Sequence, residues 1–161
     1  MTSHDFTIKP EPKSKDYLQN PYIKWTCFRE YDFRGLMEDH LNPTGLLLLG
    51  QAYGTYCQRE LDESRVVVGH DYRKYSQDLQ RSYIIWLLST GMHVIDVWLS
   101  TTPTVYFAQH KFDTKWGTNI TASHNKNGWA AAKIASWLRR TLNAQQMVDF
   151  RKVVESGDFI Q

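Results

Sequence analysis

The spacing of apolar residues changes period several times between Tyr22 and Glu155, and each change marks an element. Ile23 to Arg29 alternates and is rich in β formers, which predicts a strand. Glu30-Tyr31-Asp32-Phe33-Arg34-Gly35 then reads as a polar turn that Gly35 permits. Asn42 and Pro43 have the form of an N-cap and a first helical residue, and Leu46, Leu49, Tyr53 and Cys57 follow at helical spacing, so a helix is expected to end near Glu60. The β-branched run Arg65-Val66-Val67-Val68-Gly69 predicts a strand buried on both faces, and His70 to Arg73 a polar loop. Ser76 is placed to cap a second helix with Leu79, Tyr83, Trp86 and Leu87 along one stripe, ended by Gly91 as a left-handed cap. Val94 to Leu99 is the next strand, Thr101-Thr102-Pro103-Thr104 opens a third helix through about His110, and Thr118 to Ala122 is a further strand. A short strand from Ala132 to Ser136 and a last helix, capped by Asn143 and running to Glu155 with Met147, Phe150, Val153 and Val154 inward, complete the pattern.

Strand, loop and helix thus recur three times. The alternation predicts an α/β fold: a three-layer α/β/α domain with a mostly parallel mixed sheet, whose ligands gather at the loops beyond the carboxyl ends of the strands. Residues 1–21, with Pro10, Pro12 and Pro21 among alternating charges, read as an extended arm. Residues 22–156 read as the domain, and 157–161 as the start of a linker.

Composition narrows the function classes. The 161 residues are 42% hydrophobic and 14% aromatic, enough to bury a core. The net charge of +2 argues against nucleic acid or a membrane surface as partner, and no apolar run approaches the length that spans a bilayer. Cys27 and Cys57 form no CxxC pair and each sits in an apolar pattern, so both are expected as buried free thiols in a cytoplasmic protein.

The chemistry concentrates in Thr121-Ala122-Ser123-His124-Asn125-Lys126-Asn127-Gly128-Trp129, a polar loop directly after a buried strand. It offers a hydroxyl nucleophile, an adjacent imidazole, and amide and hydroxyl donors able to surround a phosphoryl group. The same stretch also reads as a plain strand-to-strand turn around Asn127-Gly128. Ser123 and His124 are not expected to form a hydrolase pair, because neighbouring side chains on extended backbone point to opposite faces, and no GxSxG elbow occurs.

Four landmarks in order carry a resemblance: Tyr31-Asp32-Phe33-Arg34-Gly35, then Val67-Val68-Gly69-His70-Asp71-Tyr72-Arg73, then Thr102-Pro103-Thr104, then Thr121-Ala122-Ser123-His124-Asn125 with Lys133 ten positions after the serine. From about Phe28 to Phe159 the chain resembles the first domain of the α-D-phosphohexomutases, the phosphomannomutase and phosphoglucomutase superfamily. The resemblance implies an isomerase that works as an intramolecular phosphotransferase. Phosphoserine at Ser123 gives its phosphoryl group to a hexose phosphate, and a hexose bisphosphate intermediate returns the other phosphate. It implies Mg²⁺ with one ligand oxygen from the phosphate on Ser123, Lys133 as proton handler at the sugar hydroxyl, Arg34 as a fixed fork for phosphoryl oxygens, and His124 and Tyr31 as substrate contacts. A lysine crowded by cations can have its pKa lowered toward the working range, which suits that role. Asp71 and Arg73 are expected only to brace loops.

Lys126 and Ala130-Ala131-Ala132 depart from the family pattern, the latter where a glycine is common, which could shift the backbone that aims Lys133. The family's aspartate-rich DGDGDR-type loop, its sugar-discriminating loop and its C-terminal phosphate-binding domain have no counterpart in the sequence. The expectation is therefore one domain of a longer mutase, inactive or nearly so alone and prone to self-association through the face its neighbours would cover. The alternative is a free-standing, non-catalytic phosphosugar-binding or interaction module derived from a mutase.

Overall fold

The computed structural model of the chain describes residues 20–161 apart from 38 and 137–139. The extended arm expected over 1–21 therefore lies almost wholly outside the described residues. Ten elements follow: β1 (Phe33–Leu36), α1 (Pro43–Leu61), β2 (Arg65–His70), α2 (Ser76–Ser89), β3 (His93–Leu99), α3 (Thr102–Lys111), β4 (Trp116–Ile120), β5 (Trp129–Ser136), β6 (Arg140–Thr141) and α4 (Ala144–Ser156).

The strands form one mixed sheet in the order β1-β5-β4-β2-β3. β2 pairs in parallel with both β3 and β4, whereas β5 is antiparallel to β4, β1 and β6. Only β5 therefore runs against the common direction, which is the mostly parallel mixed sheet expected of an α/β domain. β1 lies along Trp129 to Ala132 and β6 along Ala135 and Ser136, so the two short strands share one edge of β5.

The two sheet faces are covered unequally. On one face, α1, α2 and α4 bury Phe33, Val66, Val68, Trp116, Ile120, Ala132 and Ile134 in a single core. Its centre is aromatic: Tyr53 meets the Trp116 and Phe150 rings edge-on at 5.9 and 5.8 Å, and Tyr56 and Phe28 also contact Phe150. On the other face only α3 is present, packing Val105 and Ala108 on Val67 with Ile95 and Val97 beside them. α3 covers β2 and β4 and leaves the β1 side of that face open.

The caps show why the helices begin where they do. Asn42 accepts from Gly45 N at 2.7 Å ahead of Pro43, and Asn143 makes a reciprocal capping box with Gln146. Both cysteines are buried free thiols, and burial pushes the Cys27 thiol up to about 12.

Three expectations change. Residues 23–29 do not form a strand: Trp25–Cys27 is a single 3₁₀ turn between isolated bridges at Ile23 and Phe28, and the turn expected over 30–35 supplies strand β1 instead. Gly35 consequently serves close packing rather than a turn, since a Cβ there would meet Cys27 Sγ at 2.6 Å. Ser76 does not cap α2, because Tyr75 occupies that position and the Ser76 hydroxyl donates to Asp71 Oδ1 at 2.6 Å.

The aromatic core yields a direct test. Phe150→Ala should cost about 3–5 kcal/mol of stability, because fully buried Phe150 touches Tyr53, Tyr56 and Phe28 and the gap cannot collapse. Urea unfolding measures it, and a loss below about 1 kcal/mol contradicts this account of the core.

Candidate functional site

The loop from Thr121 to Gly128 joins β4 to antiparallel β5 and has to reverse the chain. Reversal begins at Ser123, whose φ of 53° places a non-glycine residue in the left-handed region, and ends at Gly128 with φ 94°. Such a conformation persists only when its surroundings over-determine it. Here a buried ion pair on the loop after β2 does so.

Asp71 and Arg73 pair through Oδ2 and Nη1, with side chains only 12% and 4% exposed. Asp71 Oδ2 accepts from Thr121 Oγ1 at 2.9 Å and Ala122 N at 3.3 Å, while Oδ1 accepts from Ser76 Oγ and from Arg73 N at 3.1 Å. The other end of Arg73, Nη2, donates to the carbonyls of Ser123 at 3.1 Å and Asn125 at 2.6 Å. Thr121 Oγ1 in turn accepts from Ser123 N at 3.1 Å, and Asn125 N and Nδ2 both donate to Ala122 O at 2.9 Å. Tyr75 pins the far side of the loop, its hydroxyl donating to Trp129 O at 2.8 Å and accepting from Gly128 N at 3.1 Å. Burial raises the pKa of Asp71, but the donors from Ser76, Arg73 and Thr121 and the Arg73 charge together outweigh it, so the carboxyl lies below its ordinary value.

The loop so held borders a pocket of about 190 Å³ shared by Tyr31, Asp32, Arg34, Ser123, His124 and Lys133. Register explains the assembly. Arg34 lies opposite Ala131, and Lys133 stands two residues further along β5, so both side chains emerge on the face that α3 leaves open. Among the described residues Lys133 has no ion-pair or hydrogen-bond partner. All five residues singled out from the sequence, Tyr31, Arg34, Ser123, His124 and Lys133, meet in this pocket.

Two geometric details differ from expectation. Arg34 does not stand free: Nε donates to Asp32 Oδ1 at 3.1 Å and Nη2 meets Asp32 Oδ2 at 2.5 Å. That hydrogen-bonded carboxylate raises the guanidinium pKa further against the opposing effect of burial. Ser123 and His124 do not point to opposite faces, because the left-handed turn breaks the extended alternation and brings Oγ and Nδ1 to 3.5 Å. No carboxylate bonds His124 among the described residues, so the pair is not a hydrolase triad. The departure at Ala130 to Ala132 leaves β5 regular and in register with β1.

The residues present do not by themselves fit a Mg²⁺ site. No group of three His, Cys, Asp or Glu side chains comes together among the described residues. Asp71 and Asp32, which line the cavities that Ser123 borders, are engaged by Arg73 and Arg34.

Comparison with known proteins agrees with this geometry. The model of the phosphoglucomutase/phosphomannomutase α/β/α domain I matches residues 26–150. A phosphomannomutase of Salmonella typhimurium is 33% identical over 137 residues, 84% of this chain and 29% of that protein. A Thermococcus gammatolerans protein named "probable phosphoglucosamine mutase" is 36% identical over 126 residues, 78% of this chain and 27% of its own length. The chain thus spans under a third of either relative. A crystal structure of a phosphoglucomutase/phosphomannomutase family protein of Burkholderia thailandensis superposes with a TM-score of 0.76 at 23% identity, covering 85% of this chain and 31% of that one, which shows the shared fold. No helix among the described residues is long and apolar enough to cross a membrane.

Asp71→Asn removes the charge on which Arg73 and Thr121 converge, leaving a buried guanidinium uncompensated, and should lower stability by about 3–5 kcal/mol at neutral pH. In the native chain the depressed Asp71 pKa stabilises the fold above the unfolded value, near 3.8, and that contribution is lost as pH falls through the lower folded value. Unfolding free energies of the two proteins should run parallel near neutral pH and draw together only as pH falls below about 3.8 toward the lower folded value. Curves that stay parallel below that point contradict the assignment.

Proposed function

Because this chain belongs to the phosphoglucomutase/phosphomannomutase family, as its α/β/α domain I, we propose that it carries the phosphoserine of a hexose phosphate mutase, an isomerase of carbohydrate metabolism. The observation that supports this most is the pocket that Ser123 and Lys133 line together with Arg34 and His124. In the proposed step an oxygen of a hexose monophosphate attacks the phosphorus on Ser123. The new oxygen–phosphorus bond forms as the bond to Ser123 Oγ breaks, and the proton of the attacking hydroxyl passes by way of Lys133 to the departing serine oxygen. The product is a hexose bisphosphate. Transfer of its other phosphoryl group to Ser123, with the proton returned to the departing oxygen, completes the isomerisation.

Each residue has a physical part. Phosphoserine carries about −1.5 to −2 charges at neutral pH, and the Arg34 N–H groups not committed to Asp32 are placed to meet its oxygens. Asp32 grips the Arg34 guanidinium through both Nε and Nη2, so the cation is oriented before the phosphate arrives. His124 Nδ1, at 3.5 Å from Ser123 Oγ, is positioned to donate to the phosphoryl group or the sugar. Mg²⁺ belongs to the proposal only as a charge-neutralising partner of the phosphate on Ser123.

Alone the chain should be inactive or nearly so, but completed by the rest of a related mutase and incubated with a hexose 1,6-bisphosphate and Mg²⁺ it should gain one phosphoryl group on Ser123, read by intact mass and peptide mapping. Ser123→Ala should gain none, and Lys133→Ala should acquire it about 10²–10⁴-fold more slowly. Phosphate on another residue, or an unmodified chain that still binds the bisphosphate, overturns the phosphoserine reading. The second outcome leaves the non-catalytic phosphosugar-binding module.

The exposed apolar side chains Ile85 and Leu88, one turn apart on α2, support the further proposal that the chain self-associates. Sedimentation should show a concentration-dependent shift that Ile85→Lys reduces, and a clean monomer at high concentration contradicts it.

A further inference from the structure

The turn that closes the serine loop is built on Lys126-Asn127-Gly128-Trp129, with Trp129 N donating to Lys126 O at 3.4 Å and Gly128 at φ 94° in its third position. Glycine is required there by conformation and not by space, since a Cβ at Gly128 would meet only Leu36 Cδ1, at 3.5 Å. The requirement has a chemical consequence. Asn127 becomes the only asparagine of the sequence that is followed by glycine, and it is exposed.

In such a pair the backbone nitrogen of the glycine attacks the side-chain carbonyl carbon of the asparagine. The new nitrogen–carbon bond closes a five-membered succinimide, and the proton displaced from the attacking nitrogen leaves with the side-chain nitrogen as ammonia. Water then opens the ring, giving aspartate or, with one extra carbon in the backbone, isoaspartate. Water is the only co-reactant. A glycine offers the least hindered nitrogen, because no side chain crowds it. Two things are required of that nitrogen: it has to turn toward Asn127 Cγ, and it has to give up its proton.

The fold opposes both. Gly128 N–H donates to Tyr75 Oη at 3.1 Å, and that hydroxyl donates onward to Trp129 O at 2.8 Å, so the proton that has to leave is held by an oxygen whose own proton is committed. On its other side Gly128 O accepts from Met37 N at 2.7 Å, just beyond β1. The attacking nitrogen cannot turn without breaking its bond to Tyr75. Tyr75 is itself fixed, immediately ahead of α2 with its half-buried ring packed on the main core. We propose that Asn127–Gly128 is a self-modification site that deamidates through a succinimide, and that the Tyr75 hydroxyl is the restraint that keeps it closed in the folded chain. Either product places a carboxylate in the loop that carries Ser123, and isoaspartate also lengthens the backbone inside the junction of Gly128 with Tyr75 and Met37. Modification thereby releases the far side of the serine loop, whether or not Ser123 carries phosphate.

The test ages the native chain in mildly alkaline buffer and follows, by peptide mapping, the mass gain of an amide becoming a carboxylate, with a synthetic peptide of residues 121–133 aged alongside. Gain is expected at Asn127 and not at Asn143, which is also exposed but precedes alanine and sits in a capping box. The native rate should lie about tenfold or more below that of the peptide, because the hydrogen bonds at Gly128 have to open first. Tyr75→Phe keeps the ring and deletes the hydroxyl, and should speed the gain about two- to tenfold. Asn127→Gln should abolish it. Amide hydrogen exchange gives the same answer without a substitution: Gly128 N–H should exchange about tenfold or more slowly in the native chain than in the peptide. Overturning results are equal rates for native chain and peptide, a Tyr75→Phe chain that ages no faster than the native one, no gain at Asn127 in either, or a Gly128 amide that exchanges as fast as in the peptide.

Discussion

One buried ion pair determines how the functional end of this domain is arranged. Asp71 leaves β2 and gathers Thr121, Ala122 and Ser76, while Arg73 reaches the carbonyls of Ser123 and Asn125. The loops after β2 and β4 are thereby fastened to one another, and the left-handed turn at Ser123 is the conformation in which its carbonyl accepts from Arg73 Nη2 and its N–H donates to Thr121 Oγ1. A pair so deeply buried adds little net stability compared with well-packed apolar side chains, and its value lies in geometry. A charged fork and a carboxylate can meet in few ways, so the backbone at Ser123 has few alternatives.

The second determinant is unequal coverage of the sheet. Three helices close one face with an aromatic core, while α3 alone covers part of the other. The uncovered portion lies over β1 and β5, where polar side chains cost little because water or a ligand can meet them. Arg34 and Lys133 emerge there. Reversal of β5 matters as well, since an antiparallel partner for both β4 and β1 brings a residue ten positions after Ser123 back beside it.

The serine loop consequently separates two different environments. On the Lys133 side lie cations and an imidazole, suited to a charged phosphoryl group. Toward α3 the charges cancel and hydroxyls dominate. Both open at the same end of the sheet because strand direction, not the individual loops, sets where the carboxyl ends collect.

Much of this was legible in the sequence, for identifiable reasons. Asn42-Pro43, the Val66 to Val68 run and the Asn143 capping box are local signals with local outcomes, so helix starts and the central strand followed from neighbouring residues alone. The spacing of Ser123 to Lys133 and the order of the four motifs likewise marked the residues that meet in one pocket. Local reading failed where a partner distant in sequence decides: Phe33 to Leu36 became a strand because β5 lies alongside, and Ser76 gave up its capping role because Asp71 was within reach. Tyr75 bridging Gly128 and Trp129, the unpartnered atoms of Ser100 and Asn119, and the grip of Asp32 on Arg34 had no signal in spacing or composition. The sequence by itself determined the α/β alternation and the identity of the polar side chains that line the Lys133 pocket, because both depend on residue type and short-range order. The conformation of Ser123, the commitment of Arg34 and the hold of Tyr75 on Gly128 were decided only by tertiary structure, because each is a contest among partners that folding brings together.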